Sequence, residues 1–227
     1  MESAKRDALG ILGGTFDPIH YGHLELAREV REALPLAALR LIPAGTPPHR
    51  VAPVASATDR LAMVRLAAAD YPGLEVDERE ILRKGPSYTV VTLEELRAEA
   101  PSRPLALIVG ADALAGLPQW HRWREIFELA HIVAVARPGK MPADALAPEL
   151  AREWQRRFSD DAQDLLRRPA GAILVQPITE HPIAASAIRA ELARGREGVA
   201  AVSGLLPPSV LAYIERNQLY RPRQDAT

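Results

Sequence analysis

The chain of 227 residues contains no cysteine and only three lysines, Lys5, Lys84 and Lys140. Without thiols there are no disulfides, no thiolate zinc sites and no cysteine nucleophile, while the redox compartment stays open. A lysine-dependent phosphate loop is poorly supplied, so arginine must carry most of the positive charge. Neither sign dominates: 28 basic residues against 29 acidic ones give a formal net charge of -1. No global field draws such a chain to a nucleic acid or a membrane surface, and any anion recognition has to be local. No run approaches the roughly 18 apolar residues of a membrane span, and MESAKRDALGIL lacks the apolar core and cleavage site of a signal peptide. A soluble, cytoplasmic protein is expected.

Present instead are short apolar runs alternating with longer periodic segments. ALGILGG (8–14), LRLIP (39–43), LEVDE (74–78), LALIVG (105–110), HIVAVA (131–136) and AILVQP (172–177) read as buried strands. Helices are expected at 22–34, 57–70, 88–99, 121–130, 185–194 and 208–217. This alternation predicts an α/β fold, a doubly wound parallel sheet with right-handed crossovers. The charged stretch 138–170 carries no strand signal and reads as a helical insertion. One domain is expected, with a core at 8–137 and 171–194 and a C-terminal helical region at 195–220. Loops after the strands of such a sheet line its ligand crevice.

The first of these corners, GILGGTFDPIHYGH (10–23), is the most informative. Gly13 and Gly14 end a strand where a ligand or another backbone can come close, although glycines at such turns are often structural only. Neither G-x-G-x-x-G nor the lysine-ending P-loop is present. His20 and His23, one helical turn apart around Gly22, lie at the positive end of a helix macrodipole, which suits an anion. As zinc ligands they lack a third partner nearby, and a pair flanking a glycine at a helix start is poorly suited to core packing.

GGTFDPIHYGH resembles the signature of the H-x-G-H nucleotidyltransferase superfamily, and IAASAIRAEL (183–192) resembles its second element, I-S-S-T-x-I-R. IPAGTPPHR (42–50), GPSYTVVTLEEL (85–96), LIVGADALAGLPQWHRW (107–123), VAVARPG (133–139) and LLPPSVLAYIERNQLY (205–220) are similar to the bacterial nicotinate-nucleotide adenylyltransferases. The resemblance spans almost the whole chain. It implies a Rossmann-like sheet and adenylyl transfer from ATP, accompanied by Mg2+, to nicotinate mononucleotide. No nucleic-acid or membrane partner is implied, and no protein metal ligand can be named.

The same resemblance implies roles for individual residues. His20, His23, Ser186 and Arg189 would be catalytic, stabilising the transferring phosphoryl group and the departing pyrophosphate. ATP would lie against Gly13, Gly14, Thr15, Phe16, Gly110, Asp112 and Ile188 as well. The acceptor would meet Thr15, Tyr88, Thr89, Asp112, Trp120 and His121, with the nicotinate ring stacked on Trp120 and its carboxylate on backbone groups near Thr89 and His121. Arg50 and Arg137 are candidate phosphate contacts. Read without the resemblance, Trp120 can equally be a core residue, Asp112 and the Ser87–Thr89 stretch can be helix caps, and either arginine can be a surface residue. The chain departs from the pattern at Ala184 and Ala185, where serines are usual, at Ser186 for threonine, and at His121 for tyrosine. Ala44 and Gly45 offer only backbone where relatives place asparagines. Amide or other phosphate acceptors, and a noncatalytic nucleotide sensor, remain alternatives.

Overall fold

The computed structural model describes residues 7–46, 52–136 and 146–221. Six strands form one sheet: β1 (Ala8–Gly14), β2 (Leu36–Pro43), β3 (Leu74–Val76), β4 (Leu105–Gly110), β5 (His131–Ala136) and β6 (Ile173–Pro177). Their order is β3-β2-β1-β4-β5-β6, and every neighbouring pair is parallel. The expected doubly wound α/β sheet is therefore the observed one. Its strand order reverses between β1 and β4, and the crevice opens at their carboxyl ends.

The helices are α1 (Tyr21–Ala33), α2 (Ala57–Ala68), α3 (Arg79–Leu82), α4 (Thr89–Glu99), α5 (Ala111–Ala115), α6 (Ile126–Leu129), α7 (Pro148–Arg157), α8 (Asp164–Arg167), α9 (Ala185–Leu192), α10 (Arg196–Val202) and α11 (Pro208–Arg216). They cover both faces of the sheet. Along β4, Ala106 and Ile108 point into a core shared with Leu24, Ala27 and Val30 of α1. Leu105, Leu107 and Val109 point the other way, towards Val90 and Leu93 of α4 and towards Trp123 and Phe127. A strand buried on both faces needs an unbroken apolar run rather than an alternating one, which is why LALIVG is legible as it stands. Each such side chain taken from water stabilises the fold by roughly 1.5–3 kcal/mol.

One expectation is corrected. The helix expected at 121–130 is instead a 3-10 turn, Trp123–Glu125, followed by the single turn of α6, with a further 3-10 turn, Leu117–Gln119, just before it. Arg122 interrupts it with a left-handed backbone, φ 53°. Its guanidinium holds that kink by donating to Glu94 at 2.7 Å and to Glu125 at 2.8 Å. Between 146 and 170 the described residues form α7 and α8, joined by extended backbone at Phe158, which makes an isolated parallel bridge with Ile173 of β6.

Candidate functional site

The corner after β1 is built around a buried phenyl ring. Phe16 has a left-handed backbone, φ 50°, and turns its ring under Gly14, where a Cβ would lie 2.8 Å from ring carbons. Gly14 is therefore glycine for packing. A Cβ on Gly13 would meet no protein atom within 4 Å, because this residue faces the cleft. The two glycines do different work, one admitting the protein's own ring and one leaving room for something else.

His20 is the N-cap residue of α1 and His23 stands in its first turn. The backbone N–H of His20 donates to His23 Nδ1 at 3.4 Å, and the two imidazoles stack with centroids 3.8 Å apart. Phe16 packs edge-on against His23 at 5.1 Å. Burial lowers the His20 pKa to about 4; burial, aided by the proximity of His20, lowers that of His23 to about 3. At neutral pH the pair is uncharged, and His20 Nδ1 is buried without a partner. Two neutral imidazoles at the positive end of a helix are poised to gain protons when an anion arrives.

Arg189 approaches the same corner from α9. Its Nη1 donates to the carbonyl oxygen of Asp17 at 2.6 Å, which leaves the rest of a partly exposed guanidinium available. Ser186 is exposed in the first turn of α9, and the N-cap position, Ala184, makes no side-chain cap bond. Ile188 is fully buried in the core, so any contact it makes with a nucleotide must use its backbone.

The cleft at the switch point brings together Gly13, Gly14, Thr15, Ala44, Thr89, Gly110 and Trp120. Trp120 is half-buried, packed against the core and also lining the cleft. Tyr88 and His121 are not in the cleft lining; their rings pack on one another with centroids 4.4 Å apart, and His121 is exposed. Asp112 is exposed too, inside the first turn of α5, whose cap position is Gly110, so the capping alternative for Asp112 falls. Capping also fails to explain Ser87, since Tyr88 caps α4 and Ser87 Oγ instead accepts from the backbone N–H groups of Gly45 and Thr46 at 3.0 and 3.2 Å. Arg50 and Arg137 lie outside the described residues.

Three residues of this neighbourhood, Asp17, Glu80 and Arg60, have no role implied by the sequence. Asp17 is buried, accepting from the backbone N–H groups of Val54 at 2.7 Å and Ala55 at 3.1 Å and from the phenol of Tyr220 at 2.8 Å. Glu80 lines the cleft and accepts a hydrogen bond of 2.6 Å from Thr92 Oγ1; burial pushes its carboxyl above the usual range, against the pull of Thr92 and Ser87. Arg60 is wholly buried on α2. Only Arg60 left a trace in the sequence: it shares a helix face with the core residues Val64 and Ala67, at spacings of four and seven.

Glycines at a strand-to-helix corner, an imidazole pair at the following helix N-terminus and an arginine brought in by a distant helix define a nucleotidyltransferase of the Rossmann-like class. The cytidylyltransferase-like family matches residues 11–191. A "Probable nicotinate-nucleotide adenylyltransferase" of Laribacter hongkongensis is 50% identical over 222 residues, 97% of this chain and 98% of that protein. One of the same description from Halorhodospira halophila is 53% identical over 202 residues, 89% of this chain and 90% of its own length. Among solved structures, the nicotinic acid mononucleotide adenylyltransferase of Plasmodium falciparum complexed with NaAD superimposes with a TM-score of 0.68 over 94% of this chain and 97% of that one. At 14% identity that likeness speaks for the fold. The chain belongs to the cytidylyltransferase-like family and, within it, to the nicotinate-nucleotide adenylyltransferases.

Proposed function

We propose that this chain transfers the adenylyl group of ATP to nicotinate mononucleotide, giving nicotinate adenine dinucleotide and pyrophosphate in NAD biosynthesis. The observation that carries the reading is the cleft at the β1/β4 switch point. It is lined by the glycine corner and by Thr89 and Trp120, which we assign to ATP and to the acceptor respectively. A phosphate oxygen of the acceptor attacks the α-phosphorus of ATP, a P–O bond forms there, and the bond to the β-phosphate breaks with its electron pair leaving on pyrophosphate. The attacking oxygen is already ionised near neutral pH, so no side chain has to remove a proton. Catalysis is then alignment and charge stabilisation, of which alignment alone supplies roughly 7–11 kcal/mol in favourable cases.

His20 and His23 present N–H donors to the transferring phosphoryl group, with Arg189 and Ser186 completing the cradle around the leaving pyrophosphate. Gly13, Gly14, Thr15, Gly110 and the backbone of Phe16 and Ile188 line the path of the nucleotide, and the Asp112 carboxylate accepts from ribose hydroxyls. Trp120 stacks on the pyridine ring while free N–H groups at the start of α4, from Thr89 onward, meet its carboxylate. Tyr88 and His121 brace this end through their mutual ring contact, and Arg50 and Arg137 serve as further phosphate contacts. No group of three or more His, Asp or Glu gathers in metal-holding geometry among the described residues. Mg2+ would enter with ATP and would supply neutralisation of phosphate charge. We assign the enzyme to the cytoplasm as one of NAD biosynthesis. Among the described residues no helix is long and apolar enough to cross a membrane.

Pyrophosphate release, measured with ATP and each of nicotinate mononucleotide, nicotinamide mononucleotide and phosphopantetheine, tests this reading. Turnover is expected to be fastest with the acid. Release with none of the three would overturn the enzymatic assignment.

A further inference from the structure

The two walls of the cleft belong to different loops, and one side chain touches both. Arg60 Nη1 donates to the carbonyl oxygen of Thr15 at 2.7 Å, and Arg60 Nη2 donates to that of Gly45 at 3.2 Å. Thr15 follows the glycine corner and Ala44 stands next to Gly45, and both line the cleft; on the adenylyl-transfer reading the first loop serves ATP and the second the acceptor. The guanidinium is 1% exposed, its Nε has no partner, and the nearby Asp17 carboxylate supplies the charge that offsets part of its desolvation. A cation is expensive to bury, and a methionine or leucine would fill the same core position of α2 without that penalty.

The surroundings leave the bridge little slack. Ala44 N–H continues the sheet pattern by donating to the Gly14 carbonyl at 2.8 Å. Ser87 Oγ accepts from Gly45 and Thr46, and a Cβ on Gly45 would lie 2.1 Å from the carbonyl oxygen of Glu80. The acceptor-side turn is thus clamped from one side by Ser87 and α3 and from the other by Arg60. A planar guanidinium can reach two carbonyls in fixed relative positions, whereas an ammonium is a single point from which that spacing cannot be enforced.

We propose that Arg60 is a positioning residue that sets the distance and angle between the ATP loop and the acceptor loop, and so the in-line alignment of the two reactants. It touches neither reactant. This rests on the adenylyl-transfer reading of the cleft. Each loop still forms its own binding surface without Arg60, so the loss falls on the state in which both reactants are engaged.

The experiment compares wild type, Arg60→Met and Arg60→Lys. ATP and nicotinate mononucleotide are each titrated alone by calorimetry, and steady-state kcat is measured at saturation of both. Misplacement by about 1 Å predicts a fall in kcat on the order of 100-fold for Arg60→Met, with each separate Kd within about threefold of wild type. Arg60→Lys, which keeps the charge but not the fork, is expected to recover less than about a tenth of the lost rate. Unchanged kcat, or a loss confined to the affinity for one substrate, overturns the proposal. If Arg60→Met does not fold, the Lys variant decides by the same split; if neither folds, Arg60 serves stability and the proposal fails. Wild type inactive with every acceptor would instead remove the functional reading, a result separate from any behaviour of the variants.

Discussion

The phenol of Tyr220 donates a 2.8 Å hydrogen bond to Asp17 Oδ1, joining residues 203 positions apart. Asp17 also accepts backbone N–H bonds from Val54 and Ala55, and its carbonyl holds Arg189. The segment after α11 therefore reaches back to the corner after β1 and closes over the carboxylate that organises it. Burial, reinforced by Asp17, holds the Tyr220 phenol far above its usual pKa, so it is a donor at any working pH. Replacing it by phenylalanine keeps the ring and leaves one buried carboxylate oxygen short of a donor. Tyr220→Phe should destabilise the protein by roughly 1–3 kcal/mol, read as a lower urea midpoint with an unchanged slope. A midpoint equal to wild type would show that Val54 and Ala55 suffice to hold Asp17.

Gly13 and Gly14 predict opposite phenotypes for the same substitution. Gly14→Ala drives a methyl to 2.8 Å from the buried ring of Phe16, an overpacking of about 1–3 kcal/mol that should lower the melting temperature. Gly13→Ala meets no protein atom, so the fold should be barely affected while the methyl stands where ATP is proposed to lie. Thermal melting and ATP titration of the two variants separate packing from ligand space. Equal melting temperatures would refute the division.

How much of this was legible in the sequence depends on what each residue answers to. Strands such as LALIVG and HIVAVA are apolar on both faces and announce themselves, whereas the Leu36–Ala38 start of β2 does not, because the alanines there fit helix and strand alike. The break at Arg122 depends on two glutamates, one of them 28 residues away, and no local pattern encodes it. Within the site, Thr89 and Trp120 were singled out by the resemblance, and both line the cleft. Glu80 was not, since its burial is decided by the packing of α3 against Thr92 of α4, and a glutamate in DEREIL looks like any surface charge.

Trp120→Ala tests the acceptor wall. The indole is half-buried and lines the cleft, so its removal should leave the fold in place and withdraw the stacking face. Stacking of this kind is worth roughly 1–3 kcal/mol. Calorimetry should show nicotinate mononucleotide binding weakened by that amount and ATP binding unaltered. Equal weakening of both would mean that Trp120 shapes the cleft as a whole rather than one side of it.

The imidazole pair ties both stability and binding to pH. Burial lowers His20 to about 4 and His23 to about 3 from an ordinary value of 6.5. Between pH 6.5 and those values the unfolded chain binds more protons than the folded one. The stability contributed by keeping the pair neutral is complete above pH 6.5 and is lost progressively as pH falls towards 4 and then 3. Bound phosphate reverses the preference, since an adjacent anion favours the imidazolium. ATP binding near pH 6.5 should therefore carry a proton uptake, visible as a dependence of the calorimetric enthalpy on buffer ionisation. His23→Ala removes its share of that uptake, so subtracting the variant from wild type cancels the titration of ATP itself. The same variant should lose on the order of 100-fold to 1000-fold in kcat, the usual effect of deleting one transition-state donor, with little loss of stability. Wild type and variant with equal buffer dependence and equal kcat would take His23 out of the phosphate site.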